Sequence, residues 1–160
     1  IVHEGAVAGL STEVRLEGDA CFIGSEMLCF GRTASGERFA HGELAMRTRI
    51  ERDGRPIWLE RGVVHGGGGL LAAAPGLQGQ PVSASLLVAS PRCDEALRDA
   101  WRALAPTAGE GAVSLLPGVL VARWLGPACE PGRQWFARLW AAARPAVAGR
   151  AAHTPRIWNT

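Results

Sequence analysis

Between Glu43 and Glu51 the side chains alternate, with Leu44, Met46, Thr48 and Ile50 on one face and Glu43, Arg47, Arg49 and Glu51 on the other. A period of two marks a half-buried β-strand. Asp53-Gly54 follows, and a two-residue hairpin turn needs positive φ at both central positions, which these residue types tolerate. Counting outward from that turn predicts Ile50 opposite Ile57 and Thr48 opposite Leu59 on one face. On the other face it sets Arg49 opposite Trp58 and Arg47 opposite Glu60. Those pairs predict cation–π and ionic cross-strand contacts of roughly 0.2–1 kcal/mol each.

The same reading predicts strands over Ile1–Leu16 and Ala20–Phe30 before the hairpin. After it come Trp58–Val64, a loose connection at Gly66–Gly69, and a further strand over Pro81–Ala89. Ser90-Pro91 offers an N-cap with proline at the first helical position, and Leu97, Trp101 and Leu104 form an i, i+4, i+7 stripe. Val113–Leu116 and Val119–Leu125 read as strands separated by Pro117-Gly118. A second helix over Gly132–Ala143 carries Trp135, Phe136, Leu139 and Trp140, an apolar face too wide for a solvated helix. Pro145 ends it or begins a turn. Together these elements predict an α+β fold dominated by strands: a layered or helically wound β-sheet with two helices packed on one side.

Composition narrows the chemistry. The 160 residues fit a single domain, 48% hydrophobic and 20% charged, and a domain of this size buries about 70% of its unfolded surface. A formal charge of +2 gives no steer towards nucleic acid or membrane. All 17 basic residues are arginine. Without lysine there is no P-loop and no Schiff base, and without tyrosine no phenolic acid–base chemistry. Cys21, Cys29, Cys93 and Cys129 form no C-x-x-C pair and read as reduced thiols of a cytoplasmic protein. No apolar run reaches the length of a membrane span. His3, His41, His65 and His153 lack close metal-site spacing. A non-enzymatic role is expected, with no tightly bound cofactor.

The most distinctive stretch is Glu26-Met27-Leu28-Cys29-Phe30-Gly31-Arg32-Thr33-Ala34-Ser35-Gly36-Glu37. It resembles the signature E-M-x-x-F-G-R-x-A-x-G-E of the UreD/UreH family of urease accessory proteins. Further matches follow in order: Arg52-Asp53-Gly54 with Glu60-Arg61, Leu116-Pro117-Gly118 with Arg123-Trp124-Leu125-Gly126, and Arg144-Pro145 with Gly149-Arg150. The chain closes on Pro155-Arg156-Ile157-Trp158-Asn159-Thr160, similar to the family's P-R-I-W-x-T ending. The resemblance implies that residues 1–160 are one domain, the C-terminal part of a longer UreD-type protein whose N-terminal region precedes it. It also implies a scaffold that joins apo-urease to a UreF-type accessory protein and a UreG-type GTPase, with nickel in transit towards the urease site.

Glu26 stands out physically because it lies inside the apolar run Cys21–Phe30. A lone buried carboxylate costs several kcal/mol unless paired, protonated or facing water. It is expected either in an ion pair with Arg32 or Arg61, or lining a polar cavity on a nickel path, where release demands weak binding. Arg32, Glu37, Glu60 and Arg61 are expected to form an arginine–carboxylate network that holds shape. In the tail, Arg156 and Trp158 combine residue types common at interface hot spots, against the alternative that Trp158 caps its own core. Two other functions remain open at this stage. One is a hydrolase using Glu26 or Glu37 as general base beside a histidine. The other is a direct nickel carrier using Cys21, Cys29 and histidines.

Overall fold

A computed structural model describes residues 1–159 and places seven strands in two sheets. The chain begins with β1 (Val7–Leu16), β2 (Phe22–Cys29) and β3 (Glu43–Arg52). After the Asp53-Gly54 turn come β4 (Arg55–His65), the single-turn helix α1 (Gly69–Ala72) and β5 (Val82–Ala89). Then follow α2 (Glu95–Arg102), β6 (Glu110–Leu116), β7 (Val119–Gly126) and the long α3 (Cys129–Ala148). The first sheet has the order β1-β3-β4 and the second β2-β5-β7-β6. β1 runs parallel to β3, although β2 between them in sequence belongs to the other sheet. The chain therefore winds once around the space between the sheets. The other pairings between these strands are antiparallel, and an isolated parallel bridge joins Val2 to Phe30.

Three layers result: the first sheet, the second sheet, and α2 with α3. Alternation along β5 decides which residue meets which neighbour. Val82, Ala84, Leu86 and Val88 point towards the helices and join Leu97, Trp101, Trp124, Trp135, Phe136 and Leu139 in the main core. Leu87 and Ala89 point the opposite way and pack with Leu16, Ile50, Trp58, Val119 and Val121 at one end of the inter-sheet space. At the other end a third cluster gathers Val2, Phe30, Phe39, Leu44 and Val64.

The expected strand-dominated α+β fold is what forms. Four local expectations need correction. Asp53 (φ 50°) and Gly54 (φ 75°) do form the turn. Beyond it the register slips by one, so Ile50 faces Trp58, Arg49 faces Leu59, Thr48 faces Glu60 and Arg47 faces Arg61. The bulge leaves Ile57 over, next to Pro56, which has no N–H to give the ladder. Arg49 accordingly pairs with Glu51 rather than Trp58. Second, Ser90-Pro91 forms a turn in which the Ser90 hydroxyl accepts from the Arg92 N–H at 3.1 Å. The N-cap of α2 is Asp94, which accepts from the Leu97 N–H at 2.8 Å.

Third, α3 starts at Cys129 and runs through Pro145 to Ala148. Pro131 lies in the first turn, where no N–H is needed. At Pro145 one helical hydrogen bond is lost, but full burial of Ala143 and Val147 holds the last turns against the sheet. Fourth, the glycine run is a packed corner: a Cβ at Gly66 would collide with the His41 backbone, and the Gly66 N–H donates to the Gly42 carbonyl at 2.9 Å.

Candidate functional site

Between its two apolar ends the inter-sheet space is polar. β3 pairs Thr48 with Thr12 of β1 and Glu60 of β4. On the facing sheet, β5 pairs Ser85 with Glu26 of β2 and Arg123 of β7. Alternation turns these two cross-strand rows, Thr12–Thr48–Glu60 and Glu26–Ser85–Arg123, towards each other. Polar groups placed between sheets give up hydration unless they find partners or water, so this band weakens the fold where an apolar filling would strengthen it.

Two adjoining cavities run along the band, and a third opens beside them at the β6 edge of the second sheet. The central one, about 150 Å³, is lined by Glu26, Thr48, Glu60, Ser83, Ser85 and Arg123 among others, with Arg47 and Arg61 at its exposed rim. A second, about 80 Å³, shares Glu26, Thr48 and Ser85 with it and extends to Thr12, Phe22 and Gly24. A third, about 300 Å³, shares Ser83 and Arg123 and extends to Leu77, Glu110 and Gly111.

Glu26 is half-buried in the central cavity, and among the described residues neither Arg32 nor Arg61 pairs with it. Its side chain forms part of the wall of that cavity. Burial pushes its carboxyl above the ordinary range, and the neighbouring Glu60 carboxylate adds to the rise. Glu60 is itself matched by Arg123, whose Nη2 donates to Oε1 at 2.9 Å. Both side chains of that pair are about half exposed (52% and 43%), so it contributes at most about 1 kcal/mol. The Arg123 guanidinium also lies 5.5 Å from the centre of the Trp58 ring.

The expected four-residue network divides in two. Glu60 and Arg61 belong to the cleft. Arg32 and Glu37 lie apart in the loop after β2, where the Arg32 guanidinium donates to Glu37 at 2.7–2.8 Å. Glu37 also accepts the backbone N–H groups of Glu4 and Arg32, at 3.2 and 3.3 Å. The guanidinium first and these N–H groups after it hold its carboxyl at about 2. So acidic a carboxyl is a poor proton acceptor, although His3 lies 3.4 Å away. The pairing therefore closes the loop.

Cys21 immediately precedes β2 and Cys29 ends it, about 26 Å apart at ~3.3 Å per residue, too far to share an ion. All four cysteines are free thiols. Among the described residues no three of His, Cys, Asp and Glu gather in a metal-binding group. No helix is long and apolar enough to cross a membrane, again among the described residues. In the tail, Trp158 meets Trp140 edge-on at 5.0 Å, and its carbonyl accepts from Arg133 at 2.7 Å, so it folds back onto α3. Arg156 begins the short 3-10 turn Arg156–Asn159, is exposed, and lies on the surface beside Trp158. The closing Thr160 lies outside the described residues, as do the side chains of Ile157 and Asn159.

The sequence analysis gave no site role to Arg123, Ser83, Ser85, Thr12 or Thr48, although it noted Arg123 in a family motif and Thr48 in the alternation of β3. For the two serines a signal was present: in Val82-Ser83-Ala84-Ser85-Leu86 polar residues take every second place in an otherwise apolar strand.

Comparison with known proteins places this architecture. A family model described as UreD urease accessory protein matches residues 1–159. The chain is 61% identical over its whole length to the urease accessory protein UreD of Azoarcus sp. (strain BH72) and covers 56% of that protein. It is 45% identical to the urease accessory protein UreD of Dechloromonas aromatica (strain RCB) and 47% identical to that of Pseudomonas fluorescens, again over its full length and 57% of each relative. The chain thus spans a little more than half the length of these relatives.

Proposed function

The chain belongs to the UreD family of urease accessory proteins, and from that premise we propose that it serves as a non-enzymatic scaffold in urease maturation. It brings apo-urease together with a UreF-type accessory protein and a UreG-type GTPase in the cytoplasm. Nickel, as cargo, moves along the polar cleft between the sheets towards the enzyme's metal site. The observation that supports the nickel path is the Glu26 carboxylate on the cavity wall, without an ion-pair partner among the described residues and with Glu60 as its charged neighbour.

The physical logic is one of weak holding. Oxygen ligands suit hard divalent cations and hold nickel less firmly than imidazole nitrogen does, and affinity rises with the number of charged ligands and with site rigidity. Glu26 and Glu60 supply two carboxylates, and Thr48, Ser83 and Ser85 supply hydroxyls, while the cleft remains partly open. Such a lining lowers the cost of carrying a charge between apolar sheets without closing a full coordination shell. A chain of this kind passes an ion on, where a closed site would retain it.

The test is co-expression of the chain with urease and the other accessory proteins. Wild type and Glu26→Gln are each assessed for co-purification and for nickel bound per urease active site. We expect both to co-purify, with nickel loading reduced severalfold in Glu26→Gln. Equal nickel loading with the complex intact overturns the path through the cleft. Failure of the wild-type chain to co-purify with urease overturns the scaffold.

A further inference from the structure

The outer face of the first sheet, turned away from the second, carries an arrangement that stability does not explain. Met46, Thr48 and Glu60 turn towards the cleft, so alternation sends Arg47 of β3 and Arg61 of β4 outward, touching the cleft only at its rim. The two are direct cross-strand partners, and both are exposed. Like charges set opposite each other on neighbouring strands, with Cβ atoms about 5 Å apart, destabilise the pairing.

The carboxylates that the three strands place on this face are already engaged elsewhere. Glu13 accepts from Arg15 at 2.9 Å, Glu51 accepts from Arg49, and Glu43 lies 3.4 Å from the His65 ring. Among the described residues, no carboxylate is left to pair with Arg47 or Arg61. Arg61 stands between Leu59 and Val63 on the outward side of β4, and these two apolar side chains are 62% and 46% exposed. The helices α2 and α3 pack on the second sheet, so they put no layer over this face.

The chemistry that answers two adjacent guanidiniums is a carboxylate. Its two oxygens offer about four acceptor positions, enough for an N–H fork from each arginine. Bound between them, it replaces a repulsion by two ion pairs. A long polyanion needs a continuous stripe of cations, whereas Glu13, Glu43 and Glu51 surround this pair with negative charge. The apolar flanks suit a protein segment.

We infer that the outer face of the first sheet is a docking surface for a partner protein, which places an aspartate, glutamate or C-terminal carboxylate between Arg47 and Arg61 and apolar side chains on Leu59 and Val63. The repulsion stored in the free chain is relieved only when the partner is bound. This rests on the chain acting as a scaffold, and it gives that scaffold a defined contact face distinct from the cleft.

Co-expression with urease and the other accessory proteins tests it, with the recovery of each measured per mole of purified chain. In the double variant Arg47→Gln, Arg61→Gln, recovery of at least one of those proteins should fall about fivefold or more, as for an interface hot spot. Arg15→Gln removes a charge of the same face that Glu13 already occupies, and should stay within about twofold of wild type. Thermal melts of the chain separate docking from a structural role. Relief of repulsion should leave the double variant melting at or above the wild-type temperature. A Tm lowered by more than about 3 °C shows instead that the arginines hold the fold, and overturns the docking surface. Undiminished recovery of every partner with the double variant also overturns it, as does an equal loss with Arg15→Gln. So does arginine-dependent binding to phosphatidylserine vesicles with partner recovery unchanged, which would assign the pair to a membrane. If the wild-type chain recovers none of these proteins, the scaffold fails and its contact face with it. Recovery by wild type and the double variant alike ends the contact face alone.

Discussion

The two faces of β5 are built from adjacent residues and to opposite ends. Towards the helices it presents Val82, Ala84, Leu86 and Val88, all buried, to a core that holds Trp101, Trp124 and Trp135. Towards the other sheet it presents Ser83 and Ser85 and then Leu87 and Ala89. One face is filled with rigid apolar volume. The other interrupts its apolar packing with hydroxyls and charge at the level of Glu26 and Arg123. If stability alone had shaped the strand, Ser83 and Ser85 would be apolar, since a buried methyl group adds to cohesion and a desolvated hydroxyl subtracts from it. The helix-backed face explains why the chain folds, and the sheet-facing side carries the polar lining on which the proposed path rests.

That contrast is open to attack by mutation. The largest effect is expected at Trp124, which is 1% exposed and donates from its indole N–H to the Ala108 carbonyl at 3.0 Å. Trp124→Ala should cost about 3–5 kcal/mol in urea denaturation. A loss below about 1 kcal/mol would show that the helix-backed face is not the main source of cohesion. Next, Asp94→Ala removes the N-cap of α2 and should cost about 1 kcal/mol, with the loss of far-ultraviolet helical signal beginning at a lower urea concentration.

At the cleft the sign should reverse. The Glu26 carboxyl is raised in the folded protein, so the folded state holds its proton to higher pH than the unfolded state does. Its penalty is absent below the unfolded value near 4.5, grows as pH rises through the folded value and is complete above it. Glu26→Gln should therefore raise the Tm of the chain at pH 7 and leave it unchanged at pH 4. A destabilised variant at pH 7 would mean that Glu26 has a structural partner and that the two faces are less different than they look.

The smallest effect belongs to the loop after β2, outside both faces. Because the Glu37 carboxyl is depressed to about 2, its contribution is full above the unfolded value near 4.5 and is lost as pH falls towards 2. Carboxyl NMR of Glu37 should show that low midpoint, and Arg32→Gln should move it up towards 4.5. A midpoint unchanged by Arg32→Gln would detach the guanidinium from the effect.

Much of this was readable in the chain because local rules were strong there. The alternation of Leu44, Met46, Thr48 and Ile50 marked β3, and Asp53-Gly54 fixed the turn. The register beyond that turn was lost because Ile57 bulges beside Pro56, and a one-residue slip changes every cross-strand partner. The cap of α2 was missed because Ser90-Pro91 and Asp94-Glu95 both carry start signals, and the choice between them depends on where β5 delivers the chain. Glu26 announced itself as a charge in an apolar run. Arg123 did not, since its meaning comes from Glu60 and Trp58, which lie more than sixty residues away and on the opposite sheet.

The parallel pairing of β1 with β3 across an excursion into the second sheet has a mechanical consequence. The chain leaves the first sheet after β1 and returns to it at β3, so the second sheet is tethered on both sides of β2, by residues 17–21 before it and 30–42 after it. The shorter tether keeps the walls together at the end where Leu16 and Phe22 pack, so any widening must begin at the other end.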